Sequence, residues 1–378
     1  MLRFLTAGES HGKSISAILE GMPANLEISA SDIDLELERR QKGYGRGDRQ
    51  AIEKDKVEIL SGIRLGKTLG SPISMLIANL DYENWKKVMP IEANRNIFQD
   101  PVTKLRPGHA DLTGSLKYDQ QDIRNILERA SARNTVALVA IGAIVKKLLA
   151  RFNIKVFSHV TQIGDVAVEP QLKGDFEQIN RQAEKSAVRC ADEKATIKMK
   201  QVIDSAKEKG DSVGGVFDVV VLGAPIGLGS HVHADRRLSG KLAAAVMSIQ
   251  SVKGVEIGLG FGVARLPGSL AHDEIYFEND QITRRTNNAG GLEGGITNGE
   301  PIIIRGAVKP IATIAKPLNS IDLITKESVK AHVERADLCH VPSAGVIAEA
   351  AVAFEIAKAF LEKFGGDSIG EIAKHRSL

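Results

Sequence analysis

Residues 105–151 read LRPGHADLTGSLKYDQQDIRNILERASARNTVALVAIGAIVKKLLAR, and the two halves of this stretch favour different surroundings. The second half, from Val136 to Val145, is almost wholly apolar and rich in alanine, which predicts a helix buried on most of its sides. The run is far shorter than the roughly 20 residues that cross a bilayer, so we expect a core helix and not a membrane span. The rest of the fold is therefore expected to pack around this helix.

Basic residues cluster in the part of the stretch that precedes the buried helix. Arg129 and Arg133 are four positions apart and share a helical face, and Arg106 and His109 lie upstream of them. Grouping guanidinium groups where a chain enters its core costs desolvation energy and repulsion unless an anion compensates. An anionic ligand is therefore the first hypothesis, and pairing of the arginines with Glu128 and its neighbours is the alternative.

The composition is that of an ordinary globular protein of 378 residues, enough for one large domain or two. Net charge is only +3 and aromatic residues make up 4%, whereas 36 residues are glycine. This favours backbone-lined ligand sites over platforms for stacked bases. Cys190 and Cys339 lie far apart in sequence, and the first residues resemble no signal peptide. We expect reduced thiols and a cytoplasmic location.

Arginine and glycine recur together in two further segments, RRQKGYGRGDR at 39–49 and TRRTNNAGGLEGG at 283–295. The first follows a helix that we expect Ser31 to cap and that runs to about Arg40. Such loops can close over a polyanion, and KPIAT at 309–313 has the lysine, threonine and backbone groups that cradle a phosphate. These patterns again favour an anionic ligand.

Other functions compete with this interpretation. The arginine–glycine loops are also typical of an RNA- or nucleotide-binding protein, although scarce aromatics and near-neutral charge count against that class. His231 and His233 form an HxH pair that could belong to a metal hydrolase, but no further ligand cluster accompanies it, and we expect no metal. Trp85 lies in a polar, irregular segment that we interpret as surface or oligomer contact.

Seven short motifs taken together resemble the chorismate synthase family, and they fall in that family's order along nearly the whole chain. They are GESHG at 8–12, RRQKGYGRG at 39–47, RPGHADLTG at 106–114, ERASARNT at 128–135, TRRTNNAGGLEGG at 283–295, KPIAT at 309–313 and ERAD at 334–337.

The resemblance implies a fold and an activity. The fold would be α+β, a single domain over 1–378 built as a β-α-β sandwich with helices buried between antiparallel sheets. The activity would be a carbon–oxygen lyase reaction of the shikimate pathway that leads to the aromatic amino acids. It converts 5-enolpyruvylshikimate 3-phosphate to chorismate by 1,4-anti elimination of phosphate. It requires reduced FMN although no net redox change occurs.

The resemblance also implies roles for individual residues. His11 would protonate or neutralise the departing phosphate, His109 would protonate the reduced flavin near N1, and Asp337 would relay the proton from flavin N5. Substrate anions would be bound by Arg40, Arg46, Arg49, Arg106 and Arg133. The flavin would be bound by Arg129, Ala130, Ser131, Gln250, Ser251, Gly294, Lys309, Pro310, Ile311, Ala312, Thr313 and Arg335.

Partners follow from the family as well. The resemblance implies a homotetramer, with no nucleic acid and no membrane among its partners. The sequence has no NADP-binding fingerprint, so we expect an external reductant for the flavin. The chain departs from the family after Asp337, where Leu338, Cys339 and His340 stand in a place that often holds a proline. His340 could therefore alter the proton path of Asp337.

Overall fold

The computed structural model describes residues 1–47, 54–92, 100–334 and 336–377. In these ranges two antiparallel sheets dominate the strand content. The first sheet has the strand order Arg3–Ala7, Ser14–Glu20, Ile73–Ala78 and Val57–Ile59. The second sheet has the strand order Val252–Ile257, Ile302–Val308, Gly215–Leu222, Lys155–Ile163 and Val166–Ala167.

Long helices lie between the two sheets. Thr135–Arg151, here called the central helix, contacts the strand Ser14–Glu20 of the first sheet and the strand Lys155–Ile163 of the second. Val341–Phe364, here called the C-terminal helix, packs along the central helix, as does Ala30–Gln41. Buried apolar side chains of both sheets and of these helices form one continuous cluster. The predicted α+β sandwich with helices buried between antiparallel sheets is confirmed.

Small residues allow the central helix and the C-terminal helix to approach closely. A Cβ atom added to Gly142 would lie 2.2 Å from the Cβ of Ala350 and 2.6 Å from its Cα. No side chain fits at such a distance, so the glycine is required by the packing of the two backbones. The alanine-rich sequence that predicts a buried helix thus also sets the spacing between the helices.

A buried carboxylate ties the same layer together. Glu349 of the C-terminal helix lies 2.8 Å from Arg39 Nη1, 2.7 Å from Lys146 Nζ and 3.1 Å from Arg189 Nη2. Burial alone would raise the pKa of Glu349, but the three cations outweigh it and lower that pKa. Arg39 is therefore a structural residue, although it stands in the arginine–glycine segment next to Arg40.

The remaining elements are short or peripheral. The further strands are Ile63–Arg64, Lys67–Thr68, Ile275–Glu278, Gln281–Arg284, Leu292–Glu293, Ile296–Thr297, Asn319–Ile321 and Ser328–Lys330. The further α-helices are Tyr82–Trp85, Asp111–Tyr118, Arg124–Ala130, Phe176–Lys185, Glu193–Glu208, Leu238–Met247, Gly268–Ala271 and Ile369–Ser377. Short 3-10 turns are Ala132–Asn134, Ala234–Arg236 and Gly260–Arg265.

Two details of this architecture bear on the sequence predictions. The helix Ala30–Gln41 is capped by Ser29, whose side chain accepts from the backbone N–H of Asp32, so the prediction of Ser31 as the cap is wrong. Asp32 bonds back to the backbone of Ser29 and completes a capping box. Among the described residues, no helix combines the length and hydropathy needed to span a bilayer.

Candidate active site

A cavity of about 490 Å³ lies where the central helix and the C-terminal helix begin. The N-terminal ends of helices carry a partial positive charge, which favours anions there. The walls are Arg40, Arg46, Gly47, Gly108, His109, Ala110, Arg129, Ala130, Ser131, Ala132, Arg133, Gln250, Ser251, Lys309, Ile311, Ala312, Thr313, Ala336, Asp337 and His340. Segments distant in sequence therefore meet at one site.

Positive charge dominates this cavity. Counting only the described lining residues, five are cationic, Arg40, Arg46, Arg129, Arg133 and Lys309, and one, Asp337, is a carboxylate. A surplus of cations in a concave, partly desolvated site is unfavourable without an anion. The geometry thus suits a ligand with several negative charges.

Asp55 offsets part of this charge from behind the cavity wall. Its fully buried carboxylate accepts from Arg40 Nη1 at 3.3 Å and is also paired with Arg133 Nη1. Burial lowers the pKa of Arg40 to about 10, although attraction to Asp55 opposes the shift and repulsion from Arg133 and Arg46 adds to it. One carboxylate shared by two guanidinium groups leaves Arg40 short of negative charge. Asp55 was not anticipated from the sequence.

Arg129 and Lys309 also have little compensation. Arg129 Nη1 donates to Gly8 O at 3.0 Å and to Asn134 Oδ1 at 2.9 Å, which are neutral oxygens. Lys309 Nζ donates to the backbone oxygen of Gly108. Burial and, secondarily, repulsion from a neighbouring lysine lower the pKa of Lys309. Both side chains therefore keep charge available for an anion in the cavity.

His109 is held by a buried carboxylate. Its Nδ1 is bonded to Asp111 Oδ1, while Arg106 donates to the same carboxylate from Nε at 2.8 Å and from Nη2 at 2.9 Å. Burial would raise the pKa of Asp111, but the bonds from His109 and Arg106 bring it down to about 2. Arg106 also bonds Glu334 at 3.1 Å and does not line the cavity. Asp111 thus fixes the ring whose other nitrogen, Nε2, is left for a ligand.

His11 lies in a small cluster beside the cavity and is not among its lining residues. Glu128 bonds its Nδ1 at 2.8 Å and its backbone N–H at 2.7 Å. The ring of Trp85 stacks on the imidazole with centroids 3.9 Å apart. In the described ranges Glu128 therefore pairs with His11 and with none of the arginines, whereas Arg106 and Arg133 pair with other carboxylates. Trp85 covers His11, a role that the surface interpretation of its segment did not anticipate.

The segments 39–47 and 336–340 meet at Asp337. Arg46 Nη1 lies 2.8 Å from Asp337 Oδ2, and the backbone N–H of Gly47 donates to Oδ1 at 2.6 Å. A Cβ added to Gly47 would come within 3.1 Å of the backbone oxygen of Ala336, so the two segments are in close contact. These contacts fix the position of the Asp337 side chain at the cavity wall.

Comparisons with known proteins agree over the full length. The sequence model of the chorismate synthase family matches residues 2–361. A chorismate synthase of Syntrophotalea carbinolica is 56% identical over 374 residues, which covers 99% of this chain and 96% of that protein. A chorismate synthase of Geobacter metallireducens is 54% identical over 385 residues, covering 99% and 97%. A crystal structure of a chorismate synthase aligns with a TM-score of 0.79 at 45% identity, covering 100% of this chain and 96% of that one.

The chain belongs to the chorismate synthase family. Its function is accordingly that of a chorismate synthase, a lyase that eliminates phosphate from 5-enolpyruvylshikimate 3-phosphate and forms chorismate. The predictions of family and activity from the seven motifs are confirmed. The alternative of an RNA- or nucleotide-binding protein gains no support from these comparisons.

Not every position that matches the chorismate synthase motifs lies at the cavity. Pro310 is not a lining residue although its neighbours are. Gly294 stands next to His231, away from the cavity walls. Arg49 and Arg335 lie outside the described residues.

The metal alternative finds no cluster in the described ranges. His231 and His233 are both exposed, and His233 bonds Asp235 at 2.6 Å. Within the described ranges no three histidine, cysteine, aspartate or glutamate side chains are grouped so that they could hold a metal ion.

Proposed function

We propose that the elimination of phosphate takes place in this cavity, with 5-enolpyruvylshikimate 3-phosphate and reduced FMN bound side by side. The surplus of cations over carboxylates among the described lining residues carries the proposal. The substrate has two carboxylates and a phosphate, and FMN adds a second phosphate. Guanidinium groups offset the repulsion between two such anions, and their bidentate hydrogen bonds also orient them.

Substrate anions are assigned to Arg40, Arg46 and Arg133. Among these three, Arg40 shows most clearly that compensating negative charge is missing around it. Its pKa is lowered to about 10 by burial and by its cationic neighbours. Arg49 remains a prediction because it lies outside the described residues. Arg106 receives a different role. Its bonds to Asp111 support a positioning function for the carboxylate that holds His109.

Other lining residues of the same cavity fit FMN. Lys309 and Arg129 have charge available for its phosphate. Ala130, Ile311 and Ala312 provide small apolar surface for a flat ring, and the cavity volume lies in the range of small-molecule sites. Ser131, Gln250, Ser251 and Thr313 line the same space and offer polar contacts. When bound, reduced FMN supplies an electron-rich ring beside the substrate.

Two proton-holding groups border this space. His109 Nδ1 is occupied by Asp111, so Nε2 is the atom that holds or releases a proton toward a ligand. Asp337 accepts from Arg46 and Gly47, which orient its carboxyl group at the cavity wall as a candidate proton acceptor. Groups of this kind, held within hydrogen-bond reach of a reacting molecule, serve as general acids and bases.

His11 is assigned to the departing phosphate. Its neighbour Ser10 donates to Ser131 Oγ at 2.9 Å, and Ser131 lines the cavity, so the histidine lies just behind that wall. Glu128 and the stacked ring of Trp85 fix the position of the His11 imidazole. Replacing His11 by alanine is expected to lower kcat by ~10²–10⁴ with substrate binding largely kept. An unchanged kcat would remove this role.

Assembly as a homotetramer is part of the proposal. Gly294 adjoins Gly295, whose backbone oxygen accepts a hydrogen bond from the N–H of Leu238, the first residue of the helix Leu238–Met247. The cavity residue Gln250 follows the other end of that helix. A helix of 10 residues is about 15 Å long, which separates Gly294 from the cavity. We therefore assign Gly294 to the flavin site of a neighbouring copy. Sedimentation of the wild type and of a Gly294 variant, each with bound FMN, would test this assignment.

We also propose an external flavin reductant and a cytoplasmic location.

The decisive experiment is anaerobic turnover of 5-enolpyruvylshikimate 3-phosphate with dithionite-reduced FMN. The wild-type protein is expected to release chorismate and phosphate in equal amounts, with no turnover when the flavin is oxidised. Asp337→Asn is expected to lose most of kcat while retaining the fold, as judged by circular dichroism. Turnover with oxidised flavin, or full activity of the Asp337 variant, would contradict the proposal.

A further inference from the structure

A second, smaller chamber of about 30 Å³ adjoins the large cavity. Both spaces share the polar wall residues Arg40, Arg46, Gln250, Ser251 and His340. Ser343 and Thr135 add further polar groups to the small one. The centre of a water molecule can take up positions throughout this volume, so the chamber has room for ordered water. The chamber thus forms a recess for water in the wall that it shares with the proposed active site.

Two buried nitrogens of residues that line this chamber have no hydrogen-bond partner in the described part of the chain. They are Arg46 Nε and His340 Nδ1. His340 is only 8% exposed, and leaving its ring nitrogen unsatisfied at such burial costs free energy. Ser343 Oγ, which also lines the chamber, is already engaged, because it accepts from Arg46 Nη1 at 2.8 Å and donates to His340 O at 2.9 Å.

We propose that one ordered water occupies this chamber, accepts from Arg46 Nε and donates to His340 Nδ1, and that His340 is thereby a positioning residue for the pair of Arg46 and Asp337. A buried water needs two to four hydrogen-bond partners, and these two nitrogens supply the first two. Burial lowers the pKa of His340 to about 4, so its ring is neutral at pH 7 and one nitrogen is an acceptor.

The consequence concerns the plane of the Arg46 guanidinium. Nη1 is already fixed by Asp337 at 2.8 Å and by Ser343 at 2.8 Å. A water on Nε fixes the opposite edge of the same plane, so that rotation about the side chain no longer displaces the group from Asp337. His340 therefore acts on the carboxylate through the water and Arg46. The effect of His340 on Asp337 depends on the role proposed for Asp337. The presence of the water does not depend on that role.

The test combines a crystal structure with kinetics. In a high-resolution structure of the wild-type protein, we expect a water within hydrogen-bonding distance of both Arg46 Nε and His340 Nδ1. His340→Asn keeps a polar acceptor near the position of Nδ1, and His340→Leu is the apolar counterpart. We expect the leucine variant to lose about tenfold in kcat with KM within about twofold, and the asparagine variant to retain most of kcat.

Each result decides between clear alternatives. A dry chamber, or a water that contacts only one of the two nitrogens, overturns the proposal even if the kinetics change. Equal kcat in the leucine variant and the wild type also overturns it, as does an asparagine variant as impaired as the leucine one. Should the leucine variant fail to fold, the wild-type structure and the asparagine variant still decide. A normal kcat for Asp337→Asn would instead refute the role of Asp337 and leave the water unaffected.

Discussion

Replacing Asp55 by asparagine tests the electrostatic basis of the site. The Asp55 carboxylate is fully buried, accepts from Arg40 at 3.3 Å and is paired with Arg133. Without its charge, two buried guanidinium groups face each other beside Arg46. Removing one partner of a buried ion pair costs about 3–5 kcal/mol of unfolding free energy. In a chain of this size, that corresponds to a melting temperature lower by roughly 4–6 °C.

A ligand with several anionic groups should restore part of this loss. Thermal unfolding followed with and without 5-enolpyruvylshikimate 3-phosphate is expected to show a larger stabilisation by substrate in Asp55→Asn than in the wild type. The reason is that the ligand anions supply the missing charge. This stabilisation adds to the ~2.7 kcal/mol of unfolding free energy that a ligand contributes at 100 times its Kd. Asp165→Asn, at an exposed position, is the matched control and should change neither value. An unaltered melting temperature, or weaker substrate stabilisation in Asp55→Asn, would refute the reasoning.

Three further predictions follow from packing and from titration. Gly142→Ala should lower the unfolding free energy by about 1–3 kcal/mol in denaturant titrations, because its Cβ would lie 2.2 Å from that of Ala350. Since burial lowers the pKa of His340 to about 4, its contribution to stability is fully present above pH 6.5 and is lost as the pH falls toward 4. The loss, up to about 3 kcal/mol, should be absent in His340→Leu when stability is measured across that range. Asp111→Asn should lower kcat at least tenfold in the anaerobic assay, because His109 would lose the carboxylate that fixes its tautomer; unaltered kcat would contradict that role.

Much of the fold could be predicted because it is encoded locally. The apolar, alanine-rich run after Arg133 predicts a buried helix from periodicity and composition alone, and the structure extends that helix over Thr135–Arg151. Strands such as Ile302–Val308 follow from β-branched composition between turns. The sequence predicts the cap of the helix Ala30–Gln41 at Ser31, two residues after the Ser29 that caps it. Ser29 and Ser31 are equally suitable as residue types, and the backbone angles decide between them.

The site could be predicted only in part, because its charge balance depends on contacts that are distant in sequence. The arginine clusters indicate an anion, but they do not show that Asp55 is shared by Arg40 and Arg133 or that Glu128 pairs with His11. Asp111 is the exception. It stands two residues after His109, a spacing close enough to have suggested the pair.

The central claim is that substrate and flavin share the cationic cavity at the start of the central and C-terminal helices. A crystal structure of the protein with 5-enolpyruvylshikimate 3-phosphate and FMN tests it most directly. The account predicts substrate phosphate and carboxylate oxygens within hydrogen-bonding distance of Arg40, Arg46 and Arg133, with the flavin phosphate at Arg129 or Lys309. Substrate and flavin bound elsewhere, with none of these side chains in contact with a ligand anion, would contradict it.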